Sequence, residues 1–480
     1  MNKERILLII DNQSIFEIDA ADIELKVNNF SLLEPMLSDT LVTFQPDELS
    51  KLLGLERICN VNILDFECLD KQIRQSIGLK VSPGKWNVAN MIATFLRKEE
   101  RKWKEEEYEE LLKELALCYR IMKEQGKEEW LRITNIEIPI NKILYKVQAK
   151  GIYFNNSDVA LMCKELHKKL YNYKNAIQLE LNYTGDDLIS YLNKHNLEHN
   201  LNESSSDKEY RNVCKLYPDV KPFWKARVTK RDLKCLLLLS AVNREQDKCK
   251  PLLKGFASTT GRIFLRDPAL QNLSRKYRKL LKETLTPEWR YVYIDFGQFE
   301  AGILAGMSQN QDFQKLYESD MIYERLSEIA NTDRDMAKIY FYCFVYGGII
   351  KKGTERFFET YNLKTTVNEI VNKAYNQGYI VTSLGNKRIV NDENDKRWIL
   401  NHYIQGTSSL IFKQALINVN NTFLNKVELI LPIHDAALFK VHNDVKTDSL
   451  IAQFKDAFVK WIPGINPVIK EKKFFEENVI

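Results

Sequence analysis

The chain has 480 residues, 44% of them hydrophobic and 28% charged, with a formal net charge of only +5. That composition excludes a disordered chain and a membrane-embedded one, and suffices for about two to four domains with cores of their own. The eight cysteines form no C-x-x-C pair, which excludes a zinc ribbon and a disulfide framework and fits an intracellular setting.

Residues 1–97 mix short apolar runs, ILLII and TLVTF, with turn residues and predict a small α/β region. The N-terminal RILLII is too short for a signal-peptide core or a membrane span. Residues 98–125 are rich in Glu and Lys, with Leu111, Leu112, Leu115, Cys118 and Tyr119 at helical spacing. They predict one charged helix with a solvated face. From about 136, IEIPINKILYKVQAKGIYF reads as a helix ending near Gly151 and then an extended piece. Long helices follow, interrupted by HNLNESSSDKEY (199–210), a polar loop. Arg227, Arg231 and Lys234 then fall at i, i+4 and i+7, so one helix face carries three cations. That face suits a phosphate backbone and suits plain solvent equally well. Further basic clusters are SRKYRKLLK (274–282) and KEKKFF (470–475).

Three later segments carry chemistry. In YVYIDFGQFEAGILAG (291–306), four β-formers run into Asp295 and a helical pattern begins near Gln298. Alone, Asp295 reads most simply as a helix cap. In LILPIHDAALFKV (429–441), two strands flank His434 and Asp435, which makes a hairpin with an acid at its tip. Alone, Asp435 reads as a turn aspartate. Two acids at strand ends can instead share two Mg²⁺ ions roughly 4 Å apart and stabilise the oxygens of a phosphoryl transfer. The third segment, TDRDMAKIYFYCFVYGG (332–348), puts Arg334, Lys338, Tyr342 and Tyr346 on one helical stripe. The cations suit a polyphosphate and the rings suit a base.

These segments resemble the three polymerase motifs of family A DNA polymerases, the bacterial DNA polymerase I family. DFGQFE resembles D-Y-S-Q-I-E, RDMAKIYFYCFVYG the R-x-x-x-K-x-x-x-[FY]-x-x-x-Y-G helix, and IHDA the V-H-D-E turn. TTGRIFLRDPALQNLS (259–274), GYIVTSLGNKRIV (378–390) and RWILNHYIQGTSSLIFKQA (397–415) are similar to further family stretches, in the family's order. The resemblance covers roughly residues 136–480 and implies an α+β right-hand fold of thumb (about 151–255), palm (about 256–308 and 391–480) and fingers (about 309–390).

By position, the resemblance implies a DNA-directed DNA polymerase using two Mg²⁺ ions, with Mn²⁺ able to substitute. Asp295 and Asp435, with the carbonyl of Phe296, would hold the metals. Arg334 and Lys338 would bind the incoming triphosphate, and Lys338 would protonate the leaving pyrophosphate. Tyr342 would stack near the nucleotide, and Glu300 would partner Tyr346 as the gate against a ribose 2′-OH. Arg262, Gln271, Asn272, Arg397, Asn401, Gln405 and His434 would line primer, template and minor groove. The partners implied are primer-template DNA, dNTPs and replication accessory proteins, for a monomer in a bacterial or phage-infected cytoplasm, with an organellar location left open. Tyr342, where many relatives have Phe, implies ready acceptance of dideoxynucleotides.

The sequence departs from the family at Ala436 (usually Glu), Pro432 (Gln), Gly302 (Arg) and Cys343 (Gly), and 348–378 is short. Tyr323 is the nearest candidate for a missing histidine. Residues 1–135 read as a reduced, inactive 3′–5′ exonuclease-like α/β domain, because the D-x-E at Asp22-Ile-Glu24 has no Thr after it. Two alternatives stand beside the polymerase. A phage-type RNA polymerase is opposed by Glu300, and an impaired DNA-binding subunit by the intact Asp295, Asp435, Arg334 and Lys338.

Overall fold

A computed structural model describes residues 3–475 except 12–13, 32–38, 59–60, 81–85, 177–184, 200, 202–209, 211–212, 215, 242–246, 347–351 and 391–395. Most of the polar loop expected over 199–210 therefore lies outside the described residues. The chain divides into two units, residues 1–150 with 253–264 and 285–473, and residues 151–252 with 265–284 and 474–480. The expected boundary at 135 falls inside the first unit. Residues 265–284, expected in the palm, group with 151–252.

The first unit opens with a five-stranded sheet ordered Asn28–Asn29, Ser14–Asp19, Glu4–Ile10, Thr40–Thr43, Asn62–Asp65. Glu4–Ile10 is antiparallel to Ser14–Asp19 and parallel to Thr40–Thr43. The run ILLII is unbroken because both faces are covered. Ile6 and Leu8 pack with Leu112, Leu115 and Tyr119 on one face, and Leu7 and Ile9 pack with Leu49, Leu53 and Tyr145 on the other.

The helix expected over 98–125 begins only at Tyr108 and ends at Gln125. Residues 98–104 instead bring their charges to the helix: Lys98 bonds Glu114 and Arg101 bonds Glu110, each at 2.8 Å. A run of charge without an apolar period has no face to bury, so it gains more by pairing than by extending the helix.

The second sheet of this unit has four antiparallel strands, ordered Val427–Ile433, Ala436–His442, Trp289–Phe296, Ile469–Lys472. Behind it pack the helices Lys396–Thr422 and Thr447–Trp461, joined by a cluster of Phe296, Phe299, Phe412, Phe439 and Phe454. Phe296 and Phe299 stack with centroids 4.1 Å apart. The helices of 311–377 gather around Phe313, Phe341, Phe357 and Tyr361.

Buried charge ties the N-terminal region to these elements. Glu137 accepts 2.9 Å from Arg132 and 2.7 Å from Lys413, and all three side chains are at most 1% exposed. Glu129 accepts the backbone N–H groups of Asn386 and Lys387, both at 2.7 Å. Lys254 bonds Asp65 and Glu67, each at 2.8 Å.

In the second unit the helices Asn156–Ala176 and Lys221–Ala241 pack together, and Ile152–Tyr153 pairs with Lys248–Cys249. Leu188, Leu192, Tyr210, Val213 and Phe223 form a core of their own. Among the described residues no helix is long and apolar enough to cross a membrane.

Candidate active site

Strand pairing brings the two aspartates together. Asp295 is the penultimate residue of Trp289–Phe296 and lies opposite Ala436 in the antiparallel register. The hairpin turns at His434, which is exposed and takes a left-handed φ of 54°. Asp435 follows at the tip, and its carbonyl accepts 3.4 Å from the N–H of Phe296. Partial burial pushes the Asp435 carboxyl up to about 6. The charges of Glu300 and Asp295 raise it further, whereas Arg262 and Lys338 oppose the rise. Asp295 itself is paired with Lys472 of the edge strand.

The helix Arg334–Val345 starts where Asp333 accepts 2.8 Å from the N–H of Met336. Ala337, Phe341, Phe344 and Val345 are buried, while Arg334 and Lys338 are exposed. Arg334 is paired with Glu324, and both cations lie over the ring of Tyr323, at 5.4 and 5.8 Å. The rings of Tyr342 and Tyr346 stack at 5.8 Å. Tyr323 donates 3.3 Å to the hydroxyl of Tyr342, and burial pushes both phenols up.

Glu300, in the first turn of helix Phe299–Ser308, is 5% exposed. Its two oxygens accept from Arg262 at 2.7 Å and from the hydroxyl of Tyr346. Gln405 donates 3.3 Å to that same hydroxyl. Asn401 lies one turn earlier on helix Lys396–Thr422 with its Oδ1 buried and unpaired. Arg397 is in that helix, but its side chain lies outside the described residues.

Gln271, Asn272, Arg227, Arg231 and Lys234 belong to the second unit. There Gln271 donates 2.9 Å to the carbonyl of Leu265. Lys234 is exposed, Arg227 stacks on Tyr210 at 4.2 Å, and Arg231 reaches Ser274 at 3.4 Å.

Sequence reasoning missed Lys472, Glu324 and the pair formed by Lys470 and Asp320. The alternation of KEKK was the available signal, since alternate residues of a strand share a face. Gly302 gains a reason: a Cβ there would come within 2.3 Å of the ring of Tyr317, which is fully buried. No larger side chain fits against that ring.

The donor set suits a hard divalent cation. Carboxylate and carbonyl oxygens, which Asp295, Asp435 and Phe296 supply, are the ligands such cations prefer. Among the described residues no cluster of three His, Cys, Asp or Glu side chains accompanies them.

The family model for DNA polymerase family A matches residues 164–459. DNA polymerase I of Caldicellulosiruptor bescii is 24% identical over 402 residues, 71% of this chain and 47% of that protein. DNA polymerase I of Borreliella burgdorferi is 24% identical over 358 residues, 64% of this chain and 39% of that protein. The chain thus spans about half or less of the length of these curated relatives. Its fold matches that of the POL domain of Pol1 from M. smegmatis, solved in complex with DNA primer-template and dNTP. The TM-score is 0.77 at 15% identity, covering 98% of this chain and 95% of that one. Since the family model spans more than half of the sequence, and the mixed α/β fold agrees with it, the chain belongs to DNA polymerase family A.

Proposed function

We propose that the chain is a DNA-directed DNA polymerase that adds deoxynucleotides to a primer 3′ end and releases pyrophosphate. The observation that carries this reading is the placement of Asp295, opposite Ala436 at its strand end, beside the hairpin tip that carries Asp435, within the field of Lys338 and Arg262. Asp295, Asp435 and the Phe296 carbonyl would hold the two divalent cations. When bound, these cations stabilise the attacking and leaving oxygens of an in-line displacement.

The remaining work falls to the side chains. Arg334 exchanges Glu324 for phosphate oxygens, which its planar fork fits equally well. Lys338, one turn on, donates a proton to the departing pyrophosphate. Tyr342 packs beside the sugar and base, and Glu300 fills the space that a 2′-OH would need. In the first unit Arg262, Arg397, Asn401, Gln405 and His434 meet primer and template; in the second, Gln271, Asn272, Arg227, Arg231 and Lys234 contact DNA. Positioning and electrostatics carry such a transfer.

Primer extension on a primed template with Mg²⁺ tests the reading, with dNTPs and rNTPs compared. Asp295→Asn and Asp435→Asn each reduce extension to below about a thousandth of wild type. Extension at the wild-type rate by either variant would sink it.

Residues 1–135 act as an exonuclease-like scaffold without nuclease activity. Asp22 and Glu24 sit in a turn after a strand, where Asp22 accepts the N–H groups of Glu24 and Lys26 at 3.0 and 2.9 Å. Asp65 is held by Lys254. Metal-dependent 3′-end degradation that persists in Asp295→Asn would overturn this part.

A further inference from the structure

Asp295 is flanked by two strands, and they offer it different chemistry. On one side its register partner is Ala436, which contributes only a methyl group. On the other side the partner is Lys470, and two residues along the same edge strand stands Lys472. Residues two apart on a strand share a face, and a diagonal neighbour is within reach of a long side chain. The two lysines divide the acids between them. Lys470 pairs with Asp320, whose backbone and side-chain oxygens also accept from Gln298 at 2.9 and 2.6 Å. Lys472 pairs with Asp295.

The Lys472 side chain is 44% exposed and that of Asp295 is 21% exposed. The lysine can therefore swing into solvent without leaving a buried charge behind. A pair of this kind is weak and exchangeable. Among the described residues the ammonium group bonds Asp295 alone.

We propose that Lys472 is a displaceable counter-ion of Asp295, which it neutralises until a divalent cation binds and must then release, so that Lys472 sets the affinity of the site for that cation. The inference rests on the reading of Asp295 as a metal ligand. It adds a residue that competes for the ligand instead of contributing to it. The cost of breaking a half-exposed ion pair corresponds to a factor of about two to five in the cation's dissociation constant.

The test is Mn²⁺ binding to the full chain without DNA or nucleotide, read from the loss of the free-ion electron paramagnetic resonance signal. Lys472→Met is expected to tighten Mn²⁺ binding about two- to fivefold. Lys472→Arg keeps the charge and stays near wild type, and Asp295→Asn weakens binding. Tightening in Lys472→Arg equal to that in Lys472→Met would overturn the proposal, because the charge would then be irrelevant. If Asp295→Asn weakens binding while Lys472→Met leaves it unchanged, the counter-ion inference alone fails. If Asp295→Asn also leaves binding unchanged, the metal-site reading fails with it. A melting curve for each variant separates a lost fold from lost binding, and Lys472→Arg serves as the folded control.

Discussion

Tyr346 donates its hydroxyl hydrogen to Glu300, and the other oxygen of that carboxylate accepts a 2.7 Å bond from Arg262. The carboxylate is buried and pinned at both ends, so it cannot turn aside for a bulkier sugar. Glu300→Ala removes both the volume and the anchor. The expected outcome is a rise of at least about tenfold in ribonucleotide incorporation relative to deoxynucleotide, the worth of about 1.4 kcal/mol. Competition between dNTP and rNTP in single-nucleotide extension measures it. An unchanged ratio would remove Glu300 from sugar selection.

Tyr342 carries a phenol that already accepts a hydrogen bond from Tyr323 at 3.3 Å. Among the described residues its own hydrogen meets no acceptor, and it can serve a nucleotide that lacks a 3′-OH. Tyr342→Phe is expected to increase discrimination against dideoxynucleotides by about tenfold or more, one hydrogen bond being worth about 1 to 1.5 kcal/mol. Chain-termination ratios read this directly. Equal termination by wild type and variant would assign the acceptance elsewhere.

Local pattern made much of the site legible. The β-formers ahead of Asp295 and the two apolar runs around His434 and Asp435 are strands, and the stripe from Arg334 to Tyr346 lies along one helix. Each is a period within one segment, which is what sequence reports well. Lys472 was missed because its partner lies 177 residues away and only an edge-strand register joins them. The same limit hid Glu129, whose acceptance of the Asn386 N–H spans 257 positions and leaves no local trace. The late start of the helix at Tyr108 was missed for another reason, since charge without periodicity does not mark an end.

Gly302 faces the ring of Tyr317, and an added Cβ would come within 2.3 Å of it. Tyr317 cannot retreat, because it is fully buried, stacks on Phe458 and accepts 3.2 Å from the N–H of Val468. Gly302→Ala therefore overpacks this helix, at an expected cost of about 1–3 kcal/mol. Urea unfolding checks it through a lower midpoint at constant slope. A midpoint equal to wild type would mean that the helix can shift to make room.

Glu137 is paired with both Arg132 and Lys413 in a fully buried cluster. Glu137→Gln removes the carboxylate that both cations bond, leaving Arg132 only the field of Glu129, and is expected to cost about 3–5 kcal/mol. Lys413→Met leaves Glu137 paired with Arg132 and is expected to cost less. Thermal melting should rank the three proteins as wild type, Lys413→Met, Glu137→Gln. The reverse order of the variants would show that Arg132 and Lys413 tolerate each other without the carboxylate.

His402 is 1% exposed and bonds the carbonyl of Asn386 through Nε2 at 2.8 Å, while Nδ1 has no hydrogen-bond partner. Burial pushes its imidazole down from 6.5 to about 4, although the bond to Asn386 opposes the shift. The sign follows from proton counting. Between these two values the unfolded chain binds a proton that the folded chain does not, so stability rises with pH in that window. The contribution is complete above about pH 6.5 and is lost as pH falls toward 4, by about 3 kcal/mol in all. His402→Gln cannot titrate, so its stability should be flatter between pH 6.5 and 4 than that of wild type. Urea midpoints across this range decide the matter, and parallel profiles for the two proteins would place the acid sensitivity in other groups.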